Sequence, residues 1–160
     1  MIRQQIGDLL EIEDDGRFFY VVILTNIVMF GGNIVFAHHT DGTRYTPEKI
    51  IANRKGFNVC ADLLWPKKEG NVTRINKLTE LSEFWLTKYA KGIEVNPKGF
   101  KEWLIYRIDD LCKPVERYRQ LPSKYRGAMD HQTVGFGVLA RMILAKHSPN
   151  QNRYIDYIDG

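Results

Sequence analysis

The sequence predicts an α+β protein rich in strands: a curled antiparallel sheet, of SH3-like or partly open barrel character, with one main helix and a short second helix. Apolar and polar residues alternate over several short segments, which is typical of strands. Asp-Gly and Gly-Gly pairs separate the first of these segments, as β-turns do. With 44% hydrophobic and 26% charged residues, the 160-residue chain is expected to form one globular domain spanning residues 1–160.

The N-terminal part predicts a meander of three strands. IGDLLEIE and RFFYVVILT flank an Asp-Gly turn, and NIVFAHHT follows the turn FGGN. The uncharged run from Phe18 to Ala37 is long enough to span a bilayer. Its central Asn and Gly residues and its Val, Ile and Phe content favour a buried hairpin instead. No membrane segment is therefore expected, and the early charge at Asp8 argues against a secretory signal, so the expected compartment is the cytoplasm.

The middle of the chain predicts both helices. Thr46 followed by Pro47 predicts the short helix, because threonine caps helix N-termini and proline fits the first helical position. FNVCADLLW and VTRINKL are then expected to be strands, the second at a sheet edge. The main helix is predicted from Thr79 to Lys91, with Thr79 as its cap, an apolar face that begins at Leu81, and Gly92 at its end.

Two later segments alternate as strands do, FKEWLIYRID and TVGFGVLARMILA, although residues 139–146 also fit a helix. Pro114 and Pro122 argue against a long helix between them. Both ends of the chain are expected to share one sheet, because their apolar strands need each other. The tail NRYIDYIDG is expected to dock as a last strand or helical turn.

No metal site or cofactor is expected. Cys60 and Cys112 lie far apart without a CxxC partner and are expected to be small apolar core residues. His38 and His39 would face opposite sides of a strand and could not share one metal ion. A structural zinc site would need four closely spaced ligands.

No catalytic residue is predicted, and the chain is not expected to be an enzyme. The carboxylate pairs at residues 14–15 and 109–110 fit turns better than acid–base chemistry. Asp130 and His131 could form a dyad, but no nucleophile motif accompanies them. The glycines of GFG at residues 135–137 lack the remainder of a phosphate-binding loop.

The excess positive charge is concentrated in one stretch. Residues 1–80 contain ten basic and ten acidic residues, whereas residues 81–160 contain thirteen and nine. Within residues 111–127, five basic residues accompany one acidic residue, Glu116. The partner-binding residues predicted here are Arg117, Arg119, Lys124, Arg126 and Tyr118.

Three interpretations of this stretch stay open: a solvated loop, a protein interface and a nucleic-acid-binding surface. Tyrosine beside arginine is typical of protein interfaces. The RNP pattern and a recognition-helix signature are both absent. If the chain is extended here, Tyr118 or Tyr125 is expected to be buried, with the flanking basic side chains directed outward.

Two parts of the chain resemble the immunity protein 26 family. IGDLLEIEDDGRFFYVVIL is similar to the family's opening strand, Asp-Gly turn and Tyr-bearing strand. EWLIYRIDD and the following LPSKYR are similar to its closing Trp-x-Ile-Tyr strand and its Leu-Pro-x-x-Tyr-Arg loop. The matching positions are Gly7, Asp8, Gly16, Tyr20, Trp103, Ile105, Leu121, Pro122, Tyr125 and Arg126.

The resemblance implies a β-rich protein that binds and blocks a polymorphic toxin encoded beside it, without catalysis. The expected function is therefore a non-catalytic protein that neutralises a partner protein, most readily a cognate bacterial toxin. Two alternatives stay open: a nucleic-acid-binding accessory protein of a phage or mobile element, and a phage-encoded inhibitor of a host defence protein.

Overall fold

The computed structural model describes residues 4–28, 31–63 and 71–151. The chain divides into two compact units: unit 1 comprises residues 1–86 and 133–147, and unit 2 comprises residues 87–132 and 148–160. The expected α+β class is confirmed, because strands form two sheets accompanied by one main helix and one short helix. Neither sheet closes into a barrel within the described residues. The single domain over residues 1–160 stays a prediction.

The strands and helices follow one another in this chain order: β1 (Asp8–Asp14), β2 (Arg17–Ile23), β3 (Asn33–His38), α1 (Pro47–Ala52), β4 (Gly56–Asp62), β5 (Val72–Lys77), β6 (Tyr89–Val95), β7 (Lys101–Arg107), β8 (Glu116–Tyr118), β9 (Met129–Asp130), β10 (Thr133–Gly135) and α2 (Phe136–Leu144). Short 3₁₀ turns lie at Ser82–Phe84, Ser123–Tyr125 and Pro149–Gln151.

Unit 1 contains a six-stranded sheet in the order β10-β4-β3-β2-β1-β5. The predicted meander is confirmed, since β1 pairs antiparallel with β2, and β2 with β3. Asp15 and Gly16, which join β1 to β2, both have positive φ, as a tight Asp-Gly turn requires. The run from Phe18 to Ala37 therefore contributes two strands of this sheet. No described helix is long and apolar enough to cross a membrane.

The main helix, α2, covers one face of this sheet. Its buried residues recur at helical spacing and are Phe136, Leu139, Ala140 and Ile143. They pack against buried strand residues that include Phe19, whose ring centre lies 5.9 Å from that of Phe136. Complete burial of a side chain of this size contributes about 1.5–3 kcal/mol, so α2 is a principal part of the unit 1 core.

The short helix α1 begins as predicted. The Thr46 hydroxyl accepts a hydrogen bond from the Lys49 amide, and Pro47 occupies the first helical position. Ile50 is its buried residue. The edge strand β5 is also confirmed, since it pairs with β1 at the end of the sheet.

Unit 2 contains a four-stranded sheet in the order β8-β7-β6-β9. Trp103 and Ile105 of β7 are buried in a small core with Leu121 and Tyr125. Most pairings are antiparallel, as in the predicted sheet, but each sheet also contains one parallel pair, β10 with β4 and β9 with β6. Both chain ends share a sheet through β10, but β7 belongs to the unit 2 sheet instead.

The helix predicted from Thr79 to Lys91 is wrong. A single 3₁₀ turn forms at Ser82–Phe84, and β6 then starts at Tyr89. The Asn58 side chain binds the Phe84 carbonyl oxygen at 2.8 Å and the Leu86 amide at 2.7 Å. Those backbone groups would be needed by the helical ladder, so a distant side chain fixes the extended path.

The strand predicted over TVGFGVLARMILA is correct for residues 133–135 alone. From Phe136 the chain is helical, in keeping with the helical alternative noted for residues 139–146. Cys60 is buried as expected, but Cys112 is exposed, so the core position expected for Cys112 is wrong. The predicted docking of the tail NRYIDYIDG concerns residues 152–160, which lie outside the described residues.

Candidate partner-binding surface

The unit 2 sheet separates the predicted partner-binding residues. Tyr118 lies opposite Trp103, and Arg117 lies opposite Leu104. Successive side chains of a strand point to opposite faces, so Tyr118 shares the face of the buried Trp103 and Arg117 lies on the other face. We call the first the core face and the second the arginine face.

On the core face, Glu116 accepts hydrogen bonds from two tyrosines. The hydroxyls of Tyr118 and Tyr125 both donate to Oε2 of Glu116, and the distance from the Tyr125 hydroxyl oxygen to Oε2 is 2.8 Å. These bonds lower the pKa of Glu116. Burial, and then the bond to Glu116, raises the pKa of Tyr125 to about 12. Tyr125 is buried, which confirms the expectation that one of the two tyrosines turns inward.

On the arginine face, Arg117 is neutralised by two carboxylates. Its guanidinium pairs with Glu94 of β6 and lies 3.8 Å from Oε2 of Glu102 on β7. The hydrogen bond from Arg117 to Glu94 raises the pKa of Arg117. The strong positive potential expected from the basic stretch is therefore offset at this position.

Arg119 follows β8 and contacts Phe100, the residue before β7. The guanidinium carbon of Arg119 lies 4.6 Å from the centre of the Phe100 ring. Phe100 is 47% exposed, so this arginine–aromatic pair is available to solvent. Phe100, Glu94 and Glu102 were not among the predicted binding residues. They are distant from the arginines in the sequence and approach them only in the folded chain.

Lys124 and Arg126 belong to the segment that covers the core face. Lys124 Nζ lies 4.8 Å from the centre of the Tyr125 ring, and the side chain of Lys124 is exposed. The carbonyl oxygen of Arg126 accepts a hydrogen bond from Lys91. The structure thus groups Tyr118 with Lys124, and it does not bring Lys124 together with Arg117 and Arg119.

Lys91 is a buried charged residue that the sequence patterns did not identify. Its Nζ donates to the carbonyl oxygens of Arg126, Ala128 and Pro149 at 2.6, 2.9 and 2.9 Å. Burial lowers its pKa to about 8, which the Asp130 carboxylate, 4.0 Å away, partly opposes. The three carbonyl oxygens occupy all three ammonium donors, so Lys91 holds together the backbone that carries Arg126.

The acidic pairs have structural partners. Asp14 forms an ion pair with Arg17 across the hairpin turn, and Asp109 forms one with Arg107. The His131 ring stacks on Tyr106 with 3.7 Å between the ring centres, and its Nε2 lies 2.7 Å from the carbonyl oxygen of Leu111. No group of three or more His, Cys, Asp or Glu side chains that could hold a metal ion occurs among the described residues.

Unit 1 buries further polar groups that are held by hydrogen bonds. Tyr20 donates to Glu11 at 3.0 Å and accepts from the Tyr45 amide at 2.8 Å, while Arg44 binds both carboxylate oxygens of Glu11. Burial raises the pKa of Tyr20 to about 12. Tyr20 carried part of the family resemblance, and here it links β1 and β2 to the segment that precedes α1.

Comparison of the chain with protein-family models finds no match. Comparison with curated proteins finds none either, and no solved structure matches. The resemblance to the immunity protein 26 family therefore stays a prediction.

Proposed function

We propose that this protein is a non-catalytic binding protein that neutralises a partner protein, most readily a cognate bacterial toxin in the cytoplasm. The proposal combines the resemblance of both chain ends to an immunity family with the chemistry of the unit 2 sheet.

The observation that carries the proposal is the mixed charge of the arginine face. Arg117 is paired with Glu94 and Glu102, and Arg119, two residues further along the chain, lies over the exposed Phe100 ring. Alternating charges around an exposed aromatic residue are typical of a surface that selects one protein partner, because each charge must meet its complement.

The same observation disfavours nucleic acid as the partner. A protein that binds a phosphate backbone neutralises several phosphates with unpaired lysines and arginines. Here the charge of Arg117 is already offset by carboxylates, and Lys124 lies at the Tyr125 ring, on the core face opposite Arg117. The negative charges of Glu94 and Glu102 would also repel a polyanion.

The test is co-expression of the chain with the toxin encoded by the neighbouring gene. Restored growth, together with a complex of the two purified proteins, is the expected result. A catalytically dead toxin that still binds the chain is the matched control. Growth that stays arrested although both proteins accumulate would exclude immunity, and phage structural genes as neighbours would favour inhibition of a host defence protein.

The nucleic-acid alternative has its own test. Neutralisation of about four phosphates would give a log–log dependence of affinity on salt with a slope near −3 to −4 on duplex DNA. We expect no retention on heparin and no shift of single- or double-stranded probes at low salt. A slope of that size would instead replace the protein partner by nucleic acid.

A further inference from the structure

Arg119 is positioned by packing, whereas its hydrogen-bond donors are unused. Its guanidinium lies over the exposed Phe100 ring, and no hydrogen bond or ion pair to the Arg119 side chain is present among the described residues. Guanidinium groups stack on aromatic faces, and their N–H donors then point outward around the edge of the plane. Arg119 therefore presents an ordered donor group to solvent.

The neighbouring Arg117 provides an internal comparison. Both arginines are exposed, but Arg117 is bound by Glu94 and Glu102 while Arg119 lies over the Phe100 ring. A guanidinium binds a carboxylate through two parallel hydrogen bonds when both are available. The intramolecular pairing satisfies Arg117 and leaves Arg119 as the arginine that can accept an external carboxylate.

We propose that Arg119, which lies over the Phe100 ring, receives an aspartate or glutamate side chain of the partner protein, and that Phe100 packs against an apolar residue beside that carboxylate. The inference rests on the proposed function in that both require a protein partner. Charge complementarity favours a single protein carboxylate over a phosphate chain, because Glu94 and Glu102, which hold the neighbouring Arg117, would repel every further negative charge.

The experiment is site-specific photo-crosslinking in the cells that carry the gene. Phe100→benzoylphenylalanine keeps an aromatic ring beneath Arg119 and places the reactive group at the proposed contact. Val138→benzoylphenylalanine is the positional control, since Val138 is 40% exposed on α2 in unit 1. We expect position 100 to give an adduct with one protein, at a segment that contains an aspartate or glutamate, and position 138 to give none with that protein.

Arg119→Gln in the position-100 protein should lower the adduct yield by about tenfold, the usual order for loss of a charge-paired interface contact. Arg141→Gln makes the same substitution on α2 of unit 1, where Arg141 is exposed, and should leave the yield unchanged. An absent adduct at position 100, an adduct with nucleic acid, or a yield that does not respond to Arg119→Gln would each overturn the inference. If Arg119→Gln leaves protection against the toxin intact, the proposed function stands and this contact surface is rejected. If position 100 gives the expected adduct with a protein other than the toxin, the contact surface stands and the proposed function as a toxin inhibitor is rejected.

Discussion

His38 is expected to make the folded state sensitive to mild acid. Its side chain is fully buried, Nδ1 lies 3.1 Å from the Asn53 carbonyl oxygen, and Nε2 has no hydrogen-bond partner among the described residues. Because a carbonyl oxygen only accepts, Nδ1 carries the hydrogen and Nε2 keeps its lone pair. Protonation would place a cationic N–H among the rings of Phe36 and Phe84 without an acceptor.

The size of the effect follows from the pKa. Burial is the largest cause that lowers the pKa of His38 from 6.5 to about 4, with smaller contributions in the same direction from Arg54 and His39. The unfolded chain then binds this proton near pH 6.5 and the folded chain only near pH 4, so stability falls as the pH falls through that window. At ~1.4 kcal/mol per pH unit, the full loss is about 3 kcal/mol, and about 2 kcal/mol of it is reached by pH 5.

The assay is urea denaturation at about pH 7.5 and about pH 5, which gives the free energy of unfolding by linear extrapolation. His38→Asn is the matched control, because its amide still donates to the Asn53 carbonyl but does not titrate. The native protein should lose about 2 kcal/mol more than this variant between the two pH values, and the comparison cancels the other titrating groups. Equal losses in both proteins, or an NMR titration of the His38 ring near pH 6.5, would refute the argument.

Three further predictions concern stability. Tyr125→Ala should lower the free energy of unfolding by about 3 kcal/mol and Tyr125→Phe by about 1 kcal/mol, since the first removes a buried ring and the second removes the hydrogen bond to Glu116; equal losses in chemical denaturation would contradict this. Arg119→Glu should change the free energy of unfolding by less than about 0.5 kcal/mol. Arg117→Glu should lower it by about 1 kcal/mol, because it adds a third carboxylate beside Glu94 and Glu102. The melting temperature of Arg119→Glu should therefore be the higher of the two. A fragment of residues 1–78 lacks β10 and α2 and should show no cooperative thermal transition, and a sharp transition would exclude a core that depends on α2.

Local signals predicted the parts of the fold that local chemistry determines. The Asp-Gly turn, the cap of α1 at Thr46 and the strands β1 to β5 each follow from residues within a few positions of one another. In α2, the alternation of Phe136, Val138 and Ala140 favoured a strand, but burial at helical spacing outweighs the low helix propensity of Gly137.

The segment from Thr79 to Lys91 could not be predicted from local pattern. Its apolar residues fit a helix as well as a turn followed by a strand, and the hydrogen bonds from the distant Asn58 side chain decide between them. Gly92, taken as a helix end, lies within β6, where a Cβ atom would come 3.4 Å from the Cβ atom of His131. The hydrogen bonds of Asn58 and the close approach of Gly92 to His131 both join residues that are far apart in the sequence, so a local pattern could not reveal them.

The predicted partner-binding residues illustrate why a run of like charges along a sequence need not form one charged surface. A basic stretch becomes a basic patch when the backbone directs its side chains to one side and no carboxylate meets them. Here β8 alternates, so Tyr118 and Arg117 point to opposite faces. The adjacent strands then supply Glu94 and Glu102 to Arg117, residues that a count within the stretch omits.

The charge offered to a partner is consequently smaller and more localised than the composition suggests. It includes the guanidinium of Arg119 over the Phe100 ring and the ammonium of Lys124 beside the Tyr125 ring. Each can meet an individual carboxylate, so the geometry favours recognition of a protein surface by position over attraction of a polyanion by net charge.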